Sequence, residues 1–413
     1  MTRPRFVQIH SLASYPGTLL NRDDAGLAKR LPFGGVVRAR VSSQALKRKW
    51  RFAGEPDHDS AKLVPHSLQG LNVPMGDRSK DVVKHSVLPQ AQVGSPALHA
   101  GALEKLTEML NVALYGKSGA DSKSRQALFF GHPEIAYVQG VARDLVALAS
   151  QTPALLASAA TEPDKKAIKA LEDQLKERLE PLQKNLRALA EGTAGAAGLE
   201  SALFGRMVTS DTSANVNAPV HVAHAFTVHG IERELDYVTA VDDLRQRSED
   251  GEVGSAGIFD IELTSGLFYS YVTIDVNLLV ANLNGDEALA AGVVERLVKL
   301  IARTSPGAKK GSTAPYAHAE FMLVETGNDQ PRTLANAFRN AVPLKGDVFA
   351  GAMQAMQAHL SNLDRAYGIH TQRQQLSVTP PALQDTASVG LDALCDTLRD
   401  TLRDSLRQQS AVA

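Results

Sequence analysis

The chain has 413 residues, 44% of them hydrophobic and 22% charged, an ordinary globular composition that argues against wholesale disorder and is long enough for two or three structural units. Its 44 Lys and Arg balance 45 Asp and Glu to a net charge of −1, and Cys395 is the only cysteine, which excludes an internal disulfide and a cysteine-held metal. No run approaches the roughly 18 apolar residues of a membrane span, and the first residues move from a basic start into a short alternating segment rather than a secretory core, so a cytoplasmic protein without a membrane partner is expected.

The segment "RFVQIHSL" alternates, with Val7 and Ile9 on one face and Gln8 and His10 on the other, and predicts a half-buried first strand. The following "SYPGTLLNRDDAGLAKRLPFGG" is dense in turn residues, and "VVRARV" reads as a short strand. Ser42 or Ser43 can then cap a helix through "QALKRKWR", with Leu46 and Trp50 on its apolar face. From Gly54 to about Gly198 the pattern becomes mostly helical, broken at "GEPDHDS" and "LNVPMGDRSKD". Within it Ile168, Leu171, Leu175, Leu179, Leu182, Leu186 and Leu189 recur at threes and fours, an amphipathic helix that Pro181 should bend or split and "EGTAGAAG" should end. "IFDIEL", "GLFYSYVTIDVNLL" and "EFMLVET" read as strands. A last helix places Leu391, Leu394, Leu398, Leu402 and Leu406 on one stripe and should dock on the body.

Between Ala25 and Gly54 stand eight basic residues, Lys29, Arg30, Arg38, Arg40, Lys47, Arg48, Lys49 and Arg51, and no acid. A solvated face would explain such a run, but the missing acids leave the charges without local partners. Several of them are expected at or just inside a helix start, where free N–H groups and the dipole favour anions. Lys47 and Arg51, four apart and diverging from Leu46 and Trp50, mark a polyanion site. Other signals are weaker. Gly116-Lys117-Ser118 is the tail of a Walker motif, but Asn111 stands where its first glycine belongs and a helix precedes it. His221, His224 and His229 have no carboxylate or cysteine at ligand spacing and read as ordinary histidines, so no metal and no cofactor are expected. Asp23 and Asp24, beside Asn21 and Arg22, read as turn and salt-bridge residues rather than acid/base or Mg²⁺ groups. No Ser/His/Asp set is identifiable.

The stretch "FVQIHSLASYPGTLLNRDDAGLAKRLPFGGVVRARVSSQALKRKWR" closely resembles the start of the CasC/Cse-type backbone subunits of Cascade, the type I-E CRISPR surveillance complex, in the Cas-seven superfamily. "LNRDD", "FGG" and "SSQ-x-LKR-x-x-R" carry the likeness. "ALFGRMVTSDTSANVNAPVHVAHAFTVH", "DYVTAVDDL" and "SGLFYSYVTIDVNLL" extend it in the same order over roughly a third of the chain. The resemblance implies an α+β fold: a palm on a modified RRM (ferredoxin-like) sheet over 1–54, 199–228 and 258–413, a helical fingers insertion over 55–198, and a thumb β-hairpin over 229–257. It implies a non-catalytic subunit that binds CRISPR RNA, lines up in several copies as a helical filament with other Cascade subunits, and presents the guide to target DNA. Lys29, Ser42, Gln44, Lys47 and Arg51 fall at the guide-contacting positions, with Arg22 and Arg48 beside them. Tyr237, Val238 and Thr239 fall where the thumb wedges beside a displaced base, Val238 standing where a second aromatic is often found. The segment from about Thr161 to Glu191 looks like an enlargement of the fingers. The rival class is an RNA endonuclease using a palm-loop aspartate, for which Asp23 or Asp24 would serve.

Overall fold

The computed structural model describes residues 4–53, 66–158, 164–192, 195–208, 212–241, 255–307, 309–380 and 382–409. The chain begins with β1 (Phe6–Thr18), β2 (Arg30–Phe33), β3 (Val36–Val41) and α1 (Ser43–Arg51). There follow β4 (Gly76–Ser79), α2 (Leu88–Ala91), α3 (Ala100–Tyr115), β5 (Leu128–Gly131), α4 (His132–Ser150), α5 (Lys165–Leu179), α6 (Leu182–Gly192) and α7 (Leu199–Phe204). Then come β6 (Val220–Val222), β7 (Ala225–Thr227), β8 (Glu232–Val241), β9 (Ser255–Asp275), α8 (Val276–Asn282), α9 (Glu287–Arg303) and α10 (Lys310–Thr313). The last elements are β10 (Phe321–Gly327), α11 (Val348–Tyr367), β11 (Gln372–Ser377), β12 (Ala387–Ser388) and α12 (Leu391–Gln409).

Two compact units result. The first gathers Met1–Leu71, His221–Val276 and Ala291–Ala413, and the second Asn72–Val220 and Asn277–Ala290. Residues 199–220, assigned from the sequence with the first body, cluster with the second.

In the first unit the strands run in the order β12-β11-β10-β1-β9-β7-β3-β2, with β8 paired to β9. β1 lies antiparallel between β9 and β10, and α1 and α9 fall in the connections from β1 to β7 and from β9 to β10. The middle of the sheet is covered on both sides. Leu12, Tyr269, Tyr271, Phe321 and Leu323 pack with Phe338, Met353 and Met356 from the chain after β10 and from α11, while Val7, Ile9, Val272, Ile274 and Met322 alternate to the opposite face and are equally buried.

That double coverage corrects the half-buried first strand. Gln8 and His10 are also buried. Tyr271 Oη donates to Gln8 Oε1 at 2.8 Å, and His10 Nε2 lies 3.2 Å from Glu325, which also receives Arg332, Arg373 and Thr371. Polar residues on an alternating strand thus mark a buried hydrogen-bonded network rather than solvent. β1 also continues through "SYPG" to Thr18, with its register shifting between Tyr15 and Thr18, where the composition had read a turn.

"IFDIEL" and "GLFYSYVTID" form one strand of 21 residues, and "VNLL" opens α8 instead. Gly266 lies within that strand because a Cβ there would meet Thr227 Cγ2 at 2.7 Å and the His229 ring at 3.0 Å. Gly34 and Gly35 both have positive φ, 64° and 81°, and Phe33 pairs Val36, so the glycine pair makes the two-residue turn that β2 and β3 require. A Cβ on Gly34 would overlap the Arg339 carbonyl. The last helix docks as expected: Leu394, Cys395, Leu398 and Leu402 are buried, and Lys299 of α9 bridges Glu295 and Asp392.

The second unit is not wholly helical, since β4 pairs β5 in a small sheet formed from the "GDRS" of the expected interruption. The leucine stripe divides at Pro181 as expected, into α5 and α6. Leu171, Leu175, Leu179 and Leu182 join Leu106, Leu110, Val138 and Leu145 in one core. The segment that resembles an enlargement of the fingers packs into that unit's hydrophobic centre. The Walker-like tail forms a 3-10 turn after α3, without the preceding strand of a phosphate loop. The "GEPDHDS" stretch lies outside the described residues.

Candidate nucleic-acid interface

Helix α1 starts at the predicted cap. Ser42 Oγ accepts from Ala45 N–H at 3.2 Å, Leu46 and Trp50 are buried, and Gln44 and Arg48 are exposed with Lys47 and Arg51 half-buried between them. The loop before β2 is tied to this cap by Asn21. Its Oδ1 accepts Ser42 N–H at 2.9 Å, and its carbonyl accepts Lys29 N–H at 2.9 Å. Arg40 N–H in turn donates to the Lys29 carbonyl at 2.8 Å. Arg22, exposed, bridges to Ala28 across the same loop. Asp23 holds the loop closed, its Oδ1 accepting Ala25 N–H at 3.0 Å and Leu27 N–H at 2.9 Å.

Three expectations for this basic run need correction. Arg38 is fully buried and donates to the carbonyls of Phe33, Thr227 and Phe338 at 3.3, 3.0 and 2.9 Å, so it belongs to the fold. Arg30 is paired with the buried Glu262 at 2.6 Å, an acid supplied from β9 and invisible in the local sequence. The helix start is also not open to a ligand at every donor, because Ser43 N–H is taken by His224 Nδ1 at 3.0 Å and Ala45 N–H by Ser42. Arg48, Lys49 and Arg51 occupy the last turn of a nine-residue helix, where cations complement the carbonyl end of the dipole. The distance along α1 from Ser43 to Arg51 is roughly 12 Å, too far for one phosphate to meet the first N–H groups and Arg51 together. What α1 offers is a row of side chains, Gln44, Lys47, Arg48 and Arg51. The guanidinium carbons of Arg48 and Arg51 lie 4.6 and 5.1 Å from the Phe52 ring centroid, which pre-orders both heads through cation–π contact.

The second element of interest is the ribbon of β8 and β9. Its ladder runs from Glu232↔Ser265 to Val241↔Ser255, and ten residues of strand reach roughly 30 Å. Tyr237 is 61% and Leu235 64% exposed, two residues apart on one face of β8. Val238 and Thr239 pair Phe259 and Ile258 through their backbones, while their side chains and residues 242–254 of the expected hairpin tip lie outside the described residues.

Residues 7–403 match the family model of CT1975-like proteins. The chain belongs to the CT1975-like family. This CT1975-like chain is similar in fold to a chain of a structure described as "CRISPR RNA-guided surveillance complex, pre-nicking", with a TM-score of 0.71 and 24% identity over 96% of this chain and 100% of that one. It is likewise similar to a chain of a "CRISPR RNA-guided surveillance complex", with a TM-score of 0.62 and 22% identity over 95% of this chain and 99% of that one. No curated protein matches it.

The geometry adds residues to the candidate interface that carry no signal in the local sequence. Asn21 was grouped with the turn, although an Asn ahead of a bend is a recurrent backbone-bonding residue. Phe52 carried no signal beyond its place after the basic run. His224 was read as an ordinary histidine, yet it reaches the start of α1 from the chain before β7. His221 remains exposed, and His229 is buried with Nε2 accepting from Leu267 N–H. Among the described residues no three His, Cys, Asp or Glu side chains gather as a metal site, and no helix is long and apolar enough to cross a membrane.

Proposed function

We propose that this CT1975-like protein is a non-catalytic backbone subunit of a type I-E Cascade complex. It binds CRISPR RNA through sugar and phosphate, assembles in several copies along the guide with other Cascade subunits, and presents the guide's bases to target DNA in the cytoplasm. The observation that carries the reading is the cationic row of α1 beside the Lys29 loop, on a fold shared over 96% of the chain with a component of an RNA-guided surveillance complex. Such a clamp must hold any guide sequence, so it needs local positive charge and polar donors rather than base-reading groups.

The strand order β10-β1-β9-β7, connected as β-α-β-β-α-β, supports an RRM-like palm. Because both faces of this sheet are covered, the RNA is met by the loop and helix at its margin instead of stacking on the strands. The exposed ribbon suits a thumb and the second unit suits fingers. Asp23 spends Oδ1 on two backbone N–H groups, which favours a scaffold over cleavage by that carboxylate.

The test is purification of the assembled protein. Its absorbance ratio at 260 and 280 nm should report bound RNA, and Lys47→Glu with Arg51→Glu should lose the guide while the chain stays folded. Guide retention at wild-type stoichiometry by the double variant would overturn the site, and cleavage of guide-complementary RNA in Mg²⁺ would overturn the scaffold reading.

A further inference from the structure

His224 lies where two segments of the chain, at Lys29 and at Arg40, deliver positive charge to the start of α1. In the β3–β7 ladder Arg40 pairs Phe226 and Val41 pairs Ala225, so the next register step sets His224 beside Ser42. Side chains two apart share a face, which places Arg40 and His224 on the same side. Lys29 is the neighbour of Arg40 on the other flank, joined to it by the backbone bond from Arg40 N–H. The imidazole is exposed, and its Nδ1 accepts the Ser43 N–H. An accepting Nδ1 leaves the proton on Nε2, at the far side of the ring. Among the described residues Arg40 Nε is buried without a hydrogen-bond partner. Partial burial, then the charges of Arg40 and Lys29, hold the His224 pKa below its ordinary value, so the ring is neutral at physiological pH.

A neutral N–H donor flanked by two cations complements a phosphodiester: one negative charge and several acceptor oxygens in a small volume. A third cation at this point would repel the other two, and protonation of Nδ1 would leave the Ser43 N–H without its acceptor. We infer that His224 contacts a guide phosphodiester as a neutral donor through Nε2–H while its Nδ1 holds the first turn of α1. This rests on the RNA-binding reading above. It gives the helix that carries Lys47 and Arg51 and the RNA itself a common anchor, drawn from nearly two hundred residues further along the chain.

The experiment titrates the full chain and its variants with a fluorescein-labelled oligouridylate over a series of salt concentrations, alongside thermal melts. Asn in place of His224 retains an acceptor near the Nδ1 position and lacks the distal donor. His224→Asn should therefore melt like the wild type and lose about tenfold in affinity, with the slope of log K against log salt unchanged because no charge is removed. Lys29→Gln should lower affinity and reduce that slope by roughly one phosphate contact. Unchanged affinity in His224→Asn, with Lys29→Gln weakened, would overturn the role of His224 and leave the RNA-binding reading standing. A His224→Asn variant that loses melting temperature or salt slope together with affinity would make the histidine a structural contact only and would also overturn the inference. Equal affinity in all three proteins would remove the RNA-binding reading itself.

Discussion

At the scale of single residues, the basic run contains two kinds of cation that composition cannot separate. Lys47, Arg48 and Arg51, with the neutral Gln44, line the row facing away from Leu46 and Trp50, whereas Arg38 lies inside the fold with three carbonyls. Its guanidinium joins the β2–β3 turn, β7 and the 3-10 turn at Ala335–Phe338, and so holds the hairpin that delivers α1. Arg38→Leu leaves three acceptors without their donor. The expected cost is about 2–4 kcal/mol of unfolding free energy, read from urea denaturation. A variant as stable as wild type would show that water replaces the guanidinium at those carbonyls. The His224 bond and the Asn21 tie are of the same type, polar contacts between residues distant in sequence that fix where a charged side chain stands.

Among the elements, the ribbon and α5 have contrasting exposure and invite opposite tests. β8 presents Leu235 and Tyr237 to solvent, so Tyr237→Ala with Val238→Ala removes apolar surface and no charge. Stacking on an aromatic contributes about 1–3 kcal/mol per base. The assembled complex should therefore retain its guide while chemical probing shows the regular alternation of unstacked and protected bases becoming blurred. An even reactivity profile along the wild-type guide would sink the kinking thumb. In α5, by contrast, Leu175 is fully buried among Leu106, Leu110 and Val138. Removing residues 163–189 would uncover this core, so a shortened chain is expected to aggregate rather than to bind RNA normally. Leu175→Ala should cost about 2–5 kcal/mol, measured as a shift of the denaturation midpoint, and RNA affinity of the folded fraction should be unchanged. A cost below that range would mean the second unit closes its core without α5.

For the whole molecule, the distribution of buried titratable groups sets a pH dependence. Burial lowers the pKa of His10, although Glu325 pulls it the other way, and burial likewise lowers His229, which is fixed as the neutral ring by Leu267 N–H and Gly230 O. His224 is lowered as well. Below about pH 6.5 the unfolded chain takes up protons that these folded rings refuse, so stability falls on acidification from neutrality. Glu325 acts in a lower window. Burial alone would raise its carboxyl, but the His10 hydrogen bond and the Arg332 charge outweigh it and bring the pKa far below the usual carboxylate range. Its contribution is therefore intact above its ordinary pKa, about pH 4.3, and is lost only as pH falls from there through the depressed value. Melting temperatures should decline from pH 7 to pH 5 and fall again below about pH 4. A flat profile from neutrality to pH 5 would mean that the histidines protonate in place.

By itself the sequence determined what depends on neighbours within a turn or two: the Ser42 cap, the buried Leu46–Trp50 face, the break at Pro181, the strands at "VVRARV" and "EFMLVET", and the docked leucines of the last helix. The order of its motif blocks also pointed to the kind of chain whose fold it shares, a component of a CRISPR RNA-guided surveillance complex. Only the tertiary structure decided which of eight cations face outward, since the partners of Arg30 and Arg38 lie on β9, β7 and the chain before α11, up to 300 residues away. It also decided that β1 is buried on both faces, because an alternating pattern looks the same whether its polar side meets water or meets Glu325, Arg332 and Tyr271. The merging of two expected strands into β9, and the bond from Ser43 N–H to His224, 181 residues further along the chain, follow from the same cause. A local pattern specifies an element and its faces, and only the packed chain specifies what each face meets.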